Sequence, residues 1–334
     1  MKILTKQIVL MTHSNSTVIN FLSYPPLPPN SLPSPHLLSS PHSSHFFVTG
    51  QYYITVLFFF VVVVFSCPKY ENMMASSPVA LVQGASRGIG LQFCRQLLAR
   101  NSTGLVIATC RDPSSASELQ DLGNKYPTRL GIYALDVKNE DQISEVKKEI
   151  LSNQVKKIDL LVNCAGILHP SGKGETSLRE VTQTDVSSTF LTNTVGPLLM
   201  AKHFGPLLLK GDSLFGSQPG QFCGILANIS ARVGSITDNK LGGWYSYRLS
   251  KSALNMATKT LSIELGRGRK KVVCISVHPG TVDTELSRRY HKNIDPAKIF
   301  TPEFSVQSMM GIIDGLSIED TGKFFAWDGQ EISY

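Results

Sequence analysis

Tyr247 and Lys251 form a Tyr-x-x-x-Lys pair, and on a helix that spacing projects a phenol and an ammonium from one face. A free tyrosine, with a pKa of about 10, is a poor proton donor or acceptor at neutral pH. A cation held beside it favours the phenolate and brings the group toward the useful range. The pair closes the segment NISARVGSITDNKLGGWYSYRLSK, residues 228–251, in which Ser230 places a hydroxyl where the apolar run Gly224–Ile229 stops. Any amphipathic helix can carry such a pair on a solvated face, so the motif gains weight only if a dinucleotide site precedes it.

Such a site precedes it. VALVQ (79–83) has the pattern of a buried parallel strand. It runs into GASRGIG, with glycines at 84, 88 and 90, and then into the helical pattern LQFCRQLLAR. Small residues there let the chain turn sharply and bring backbone N–H groups to a pyrophosphate at a helix N-terminus. The spacing is G-x-x-x-G-x-G, so a tight strand–helix turn without a ligand is the competing reading. After the second strand, LVIAT (105–109), the position that would hold a ribose-binding acid is followed by Arg111. Arg111, with Arg87 in the glycine loop, has the fork geometry for a 2′-phosphate, which points to NADP(H) in preference to NAD(H); the competing reading is that both arginines are solvated surface residues. Asp112 reads as a turn residue before Pro113.

The remaining pattern alternates strands and helices, predicting an α/β, Rossmann-type doubly wound fold with a parallel sheet. The strands expected are GIYALDV (131–137), ending near Asp136 at an adenine edge; IDLLVNCAG (158–166), ending in Asn163, Ala165 and Gly166; GILANI (224–229); VVCISV (272–277); and KFFAW (323–327). A helix over 187–203 carries Asn193 at an intrinsically unfavourable mid-helix position, a hint that its side chain holds a water or a backbone carbonyl. In the helix over 246–265, Leu249, Ala253, Leu254, Ala257, Leu261 and Leu265 make an apolar face for the core or for a second copy of the chain. HPGTVDT (278–284) follows the sixth strand at the ligand-binding edge. The loop 284–303, with Arg288, Arg289, Tyr290 and His291, is either a substrate lid or a solvated surface.

Composition excludes several alternatives. The net charge of +7 is spread along the chain, +2 of it before residue 77, with no basic–aromatic alternation of the kind nucleic-acid binding uses. The six cysteines (67, 94, 110, 164, 223 and 274) show no metal-ligand spacing and read as reduced, buried thiols.

Residues 1–76 form a separate extension ahead of a single domain at 77–334. Residues 23–44 are crowded with Pro and Ser, a composition that stays extended or disordered. Residues 46–67 carry no charge and include the apolar run ITVLFFFVVVVF. Three readings stand: a transit-like segment, a membrane anchor or atypical signal, or translation that starts at Met73 or Met74. They correspond to a chloroplast, membrane-tethered or cytoplasmic protein.

Taken together, Gly84-x-x-x-Gly88-x-Gly90, Asp136, Asn163-Cys-Ala-Gly166, Asn193, Ser230, Tyr247-x-x-x-Lys251 and Pro279-Gly280-Thr281 resemble the short-chain dehydrogenase/reductase family. ARVGSITDNKLGGWYSYRLSK and GKFFAWDGQEI resemble its C-factor and Sniffer-like carbonyl reductase branch. The resemblance implies a seven-stranded parallel sheet and cofactor contacts from Gly84, Ser86, Arg87, Gly88, Ile89, Gly90, Arg111, Asp136, Val137, Asn163, Ala165, Gly166, Tyr247, Lys251, Pro279, Gly280 and Thr281. It also implies that Tyr247 protonates a small-molecule carbonyl during hydride transfer. Lys251 would bind the nicotinamide ribose and tune Tyr247, Asn193 would hold a relay water, and Ser230 would orient the substrate oxygen. No metal is expected.

Two departures stand out. Cys164 replaces the usual second Asn, and the strand-end pair, usually Ser-Ser, is Ser230-Ala231. The second, normally catalytic, serine is therefore absent. Ser230 by a small register shift, Ser235 from the loop, or a weaker orientation are the possibilities, with Ser230 preferred. A reductase of aldehydes or ketones is the leading expectation. A cofactor-binding sensor or scaffold with little turnover, and a membrane-tethered reductase of lipid carbonyls, are the alternatives.

Overall fold

The computed structural model describes residues 5–12, 15–22, 77–100, 104–212 and 214–334. The chain divides into two compact units, Met1–Ser66 and Cys67–Tyr334. In the first unit, β1 (Thr5–Thr12) and β2 (Asn15–Leu22) form an antiparallel hairpin, with Thr12 opposite Asn15. The hairpin was not anticipated from the sequence. The Pro/Ser-rich stretch and the apolar run lie outside the described residues. No helix among those described is long and apolar enough to cross a membrane.

The second unit is a seven-stranded, wholly parallel sheet in the order β11-β8-β7-β6-β3-β4-β5. Its strands are β3 (Val79–Gln83), β4 (Leu105–Cys110), β5 (Leu130–Ala134), β6 (Leu160–Asn163), β7 (Gly224–Ile229), β8 (Val272–His278) and β11 (Phe324–Ala326), while β9 (Thr281–Val282) and β10 (Ile299–Phe300) form a separate parallel pair. The order reverses between β3 and β6, the place where ligands of open α/β sheets bind. Every strand run expected from the sequence forms a strand. Three are shorter, because the chain leaves the ladder into its loops: β5 stops before the turn at Asp136, β6 stops before Cys164-Ala165-Gly166, and the last strand keeps only Phe324–Ala326 of 323–327.

Alternate residues of each strand enter opposite cores, as a sheet covered on both faces requires. Ala80 and Val82 pack with Leu91, Phe93, Leu97 and Met309, from α1 (Gly88–Arg100) and α7 (Pro302–Gly315). Val79 and Leu81 pack with Ile143, Ile150, Met200 and Phe204, from α3 (Glu140–Ser152) and α5 (Gly196–Leu208). The remaining helices are α2 (Ser117–Lys125), α4 (Gln183–Phe190) and α6 (Tyr245–Leu265).

Two expectations about helices change. The helix expected over 187–203 spans α4 and α5, joined at Leu191–Val195 by a π-helical stretch that contains Asn193. The apolar stripe of α6 is core only in part: Leu254 is buried, Leu261 and Leu265 pack half-buried against the second core, and Leu249 is exposed. The buried face is polar instead, carrying Ser246, Ser250, Asn255, Thr258 and Ser262 beside Tyr247 and Lys251. The reason lies in the sheet below. Asn228 and Ser276 both bond Thr258, at 2.9 and 3.0 Å, and Ser230 bonds Asn255 at 2.7 Å. Buried strand polar groups need partners, and a polar helix face supplies them. The five described cysteines, at 94, 110, 164, 223 and 274, are free thiols.

Candidate active site

Two cavities meet at the carboxyl edge of the sheet and share Ile89, Cys164, Gly166, Thr284 and Leu286 in their walls. One, of about 660 Å³, runs along the glycine loop; the other, of about 770 Å³, lies over the start of α6.

The glycine-loop cleft has the form that a dinucleotide requires. Gly84 has φ +81°, and a Cβ there would lie 2.6 Å from the backbone N of Ala165. A Cβ on Gly90 would lie 2.2 Å from the Gly84 carbonyl oxygen, so the turn closes only with glycine. Ser86, Arg87, Gly88, Ile89, Arg111, Asp136, Val137, Ala165 and Gly166 line this cleft with them. Asp136 sits in the turn after β5, its carboxylate accepting from Lys138 N at 3.0 Å. Arg87 forms a 3.0 Å ion pair with Glu285 across the cleft, whereas no acid pairs with Arg111 among the described residues. The Asp112 carboxylate turns back onto the N–H and hydroxyl of Ser114, as a turn residue does.

Asn163 is placed differently from the rest. It is 2% exposed, lines neither cavity, and donates to Asn228 Oδ1 at 2.8 Å. It belongs to the polar ladder beneath α6.

Tyr247 and Lys251 both line the second cavity. The ammonium lies 5.7 Å from the phenol ring centroid and donates to the Ile229 carbonyl at 2.8 Å. Gly166 faces this point: a Cβ there would stand 3.6 Å from Lys251 Nζ and 3.4 Å from Asn193 Oδ1. Asn193 is fully buried and grips the backbone of Ile167, accepting from its N–H at 2.9 Å and donating to its carbonyl at 2.8 Å. It also donates to Ser250 Oγ at 3.0 Å. An unfavourable mid-helix Asn is thus explained by the carbonyl it binds.

The electrostatics differ from the simple expectation. Burial pushes the Tyr247 phenol upward, and Lys251 does not overcome it. Burial also lowers Lys251 to about 8, opposed by Cys164. The protein alone therefore holds Tyr247 as a neutral phenol.

Ser230 is 2% exposed at the cavity wall and gives its single proton to Asn255 Oδ1 at 2.7 Å. Ser235 faces away from the cavity, donating to the Ser333 carbonyl at 2.5 Å and accepting from Asp238 N at 3.1 Å. Ala231 packs with Leu168 and Tyr247 in an apolar cluster that Val233, Trp244 and Tyr290 extend. Trp244 and Tyr290 meet edge-on at 4.8 Å. Of the loop 284–303, Tyr290 and Ile294 wall this cavity, while Arg288 lines the neighbouring cleft and pairs with Asp283 at 2.9 Å. Pro279, Gly280 and Thr281 line the cavity floor, where a Cβ on Gly280 would meet the Phe300 ring at 2.6 Å.

Three residues at this site are not picked out individually by the sequence, although His278 opens the HPGTVDT segment. Glu175 lies 72 residues before Tyr247 and holds the start of α6 through Ser246. Trp244 adopts left-handed φ +50° at that helix start. His278 lines the cavity and has a buried Nδ1 without a partner.

Comparison with known proteins agrees with this fold. The family model for short chain dehydrogenase matches residues 78–295. The NADPH-bound carbonyl reductase from chicken fatty liver is 34% identical, superposes with a TM-score of 0.68, and covers 77% of this chain and 99% of its own. The carbonyl reductase Sniffer of D. melanogaster is 30% identical with a TM-score of 0.67, over the same shares. The C-signal protein of Myxococcus xanthus is 33% identical over 177 residues, 53% of this chain and 93% of that protein.

Proposed function

From the premise that this chain belongs to the short-chain dehydrogenase family and is an oxidoreductase, we propose that it reduces an aldehyde or ketone to an alcohol with NADPH. The observation that carries the reading is the meeting of the two cavities at Gly166, within reach of Lys251 and beside Tyr247. A nicotinamide dinucleotide phosphate, when bound, supplies the hydride.

The chain's own residues do the rest. Gly84, Ser86, Gly88 and Gly90 cradle the pyrophosphate, with Ile89, Ala165, Gly166 and the 279–281 loop along the nicotinamide half. Asp136 and Val137 border the adenine. Arg111, with no acidic partner among the described residues, is the first candidate for the 2′-phosphate, with Arg87 second because Glu285 competes for it. Tyr247 holds the proton that passes to the carbonyl oxygen. Among the described residues its hydroxyl makes no hydrogen bond, so that proton is free to go to a substrate in the cavity. Lys251 binds the ribose and replenishes the proton through water held near Asn193. The apolar walls of Leu168, Val233, Trp244 and Tyr290 suit a carbonyl compound with a hydrocarbon or aromatic body.

The test is to mix the purified protein with NADPH and a panel of aldehydes and ketones, following loss of NADPH absorbance in wild type and Tyr247→Phe. Turnover that disappears in the variant supports the reading. NADPH binding without turnover across the panel favours a sensor. Absence of NADPH binding, with NADH bound instead, overturns the argument from Arg111.

A further inference from the structure

We propose that His278 donates a hydrogen bond from Nε2–H to the oxygen of the substrate carbonyl, doing the work of the serine hydroxyl that Ala231 lacks. This rests on the carbonyl-reduction reading and deepens it.

The need comes from the donors on the page. A carbonyl oxygen that becomes an alcohol is polarised by the donors aimed at it, and one oriented donor changes rate by roughly 10²–10³-fold. Tyr247 supplies one. The strand-end hydroxyl that would supply a second is absent at Ala231, whose methyl lies in the apolar cluster with Tyr247 and Leu168. Ser230 spends its proton on Asn255, and Asn255 is held in that orientation by its own amide donating to Gly234 O at 3.4 Å. Ser235 faces the chain terminus.

His278 is where a replacement would stand. In the parallel ladder Ile229 pairs with Val277 and Ser230 N donates to Val277 O at 2.8 Å, so His278 follows at the strand tip beside Ser230-Ala231. It also precedes Pro279-Gly280-Thr281 and lines the same cavity as Tyr247 and Lys251. Its Nδ1 is sealed from solvent with no partner, and its other ring nitrogen makes no hydrogen bond within the described residues. A buried unpaired N–H is rarer than an unpaired acceptor, which puts the ring proton on Nε2 and leaves Nδ1 a bare lone pair. The nitrogen that is not sealed is therefore the donor, on a residue that lines the cavity. Burial, with Arg232 adding repulsion and Asp328 opposing it, holds the ring neutral, lowering its pKa to about 4. A neutral imidazole polarises a carbonyl without giving up its proton, so it does not compete with Tyr247 as the acid.

The experiment is a cycle of His278→Leu, Ala231→Ser and the double variant, with kcat and KM measured on one ketone alongside thermal unfolding. His278→Leu is expected to lower kcat roughly 10–100-fold. Ala231→Ser is expected to change wild type less than about threefold but to restore most of the loss in His278→Leu. A second readout needs no cofactor: long-range ¹H–¹⁵N spectra of ring-labelled protein at neutral pH should show the His278 Nε2–H tautomer. The proposal is overturned by an unchanged kcat in a folded His278→Leu, by Ala231→Ser raising both backgrounds equally, or by the Nδ1–H tautomer. Failure of the underlying reading looks different: wild type then oxidises neither NADPH nor NADH with any carbonyl, and both claims fall together.

Discussion

The Glu175 carboxylate holds the first turn of the helix that carries Tyr247: its Oε1 accepts from Ser246 N at 3.1 Å and from the Ser246 hydroxyl. Its backbone carbonyl accepts from Trp244 N at 2.6 Å, and Trp244 supplies no side-chain cap of its own. A residue from the loop after β6 thus does the capping, and a negative charge at a helix N-terminus also complements the helix dipole. Glu175→Ala removes a 2%-exposed cap and is expected to cost about 1–3 kcal/mol. Because Tyr247 follows Ser246 directly, kcat should fall along with the melting temperature. Thermal unfolding and steady-state rates on the same preparation check this, and Glu175→Gln, which keeps an acceptor, should lose less of both.

Tyr247→Phe removes only the hydroxyl. As that group bonds nothing else among the described residues, the fold should keep its melting temperature within about 1 kcal/mol equivalent while turnover drops by at least roughly 10²–10⁴-fold. NADPH affinity, read by fluorescence titration, should stay close to wild type. A variant that retains more than a tenth of the activity would remove Tyr247 from the proposed role.

Lys251 sets the pH response. Its pKa in the folded protein is about 8, below its ordinary 10.5, because burial penalises the ammonium. Between those values the unfolded chain binds more protons than the folded one, so Lys251 adds stability as pH rises from 8 to 10.5 and imposes its full cost below 8. Lys251→Met should therefore raise the melting temperature at pH 7 by a few degrees while abolishing turnover, and the stabilising effect should fade toward pH 10.5. In wild type, kcat/KM for reduction should decline above about pH 8 as the ammonium is lost. A profile flat to pH 10 would contradict this.

Cofactor choice is tested at Arg111. Arg111→Ala should raise KM for NADPH roughly 10–100-fold, the loss of one charge-assisted contact to phosphate, and leave KM for NADH within about threefold. Arg87→Ala should have the smaller effect on NADPH, since Glu285 already holds that guanidinium. Equal effects on both cofactors would remove the 2′-phosphate from the explanation.

Much of the fold was legible because buried parallel strands are short apolar runs bounded by turn residues, and VALVQ, LVIAT, GILANI and VVCISV all have that form. The glycine loop was legible for a similar reason: glycines that admit close backbone approach mark themselves by type and spacing. The stripe on α6 is core only at Leu254, Leu261 and Leu265, because periodicity reports which residues share a face, not what that face meets. Here it meets Asn228, Ser230 and Ser276 on the sheet, and hydrogen-bond satisfaction outweighed apolar burial. Asn163, which the resemblance implies as a cofactor contact, turns its side chain to the polar ladder, because side chains alternate faces along a strand.

The sequence by itself determined the parallel sheet, the phosphate-approaching glycine turn and the Tyr247–Lys251 pair, because each is a local pattern of type and spacing. Only the tertiary structure decided that Ser230 gives its proton to Asn255, that Ser235 faces Ser333, that Glu175 caps α6, and that His278 lines the cavity. Those relations join residues 25 to 98 positions apart, except that of His278, which is set by the β7–β8 register. A hydrogen-bond partner is fixed by distance and direction in space, which no local spacing encodes.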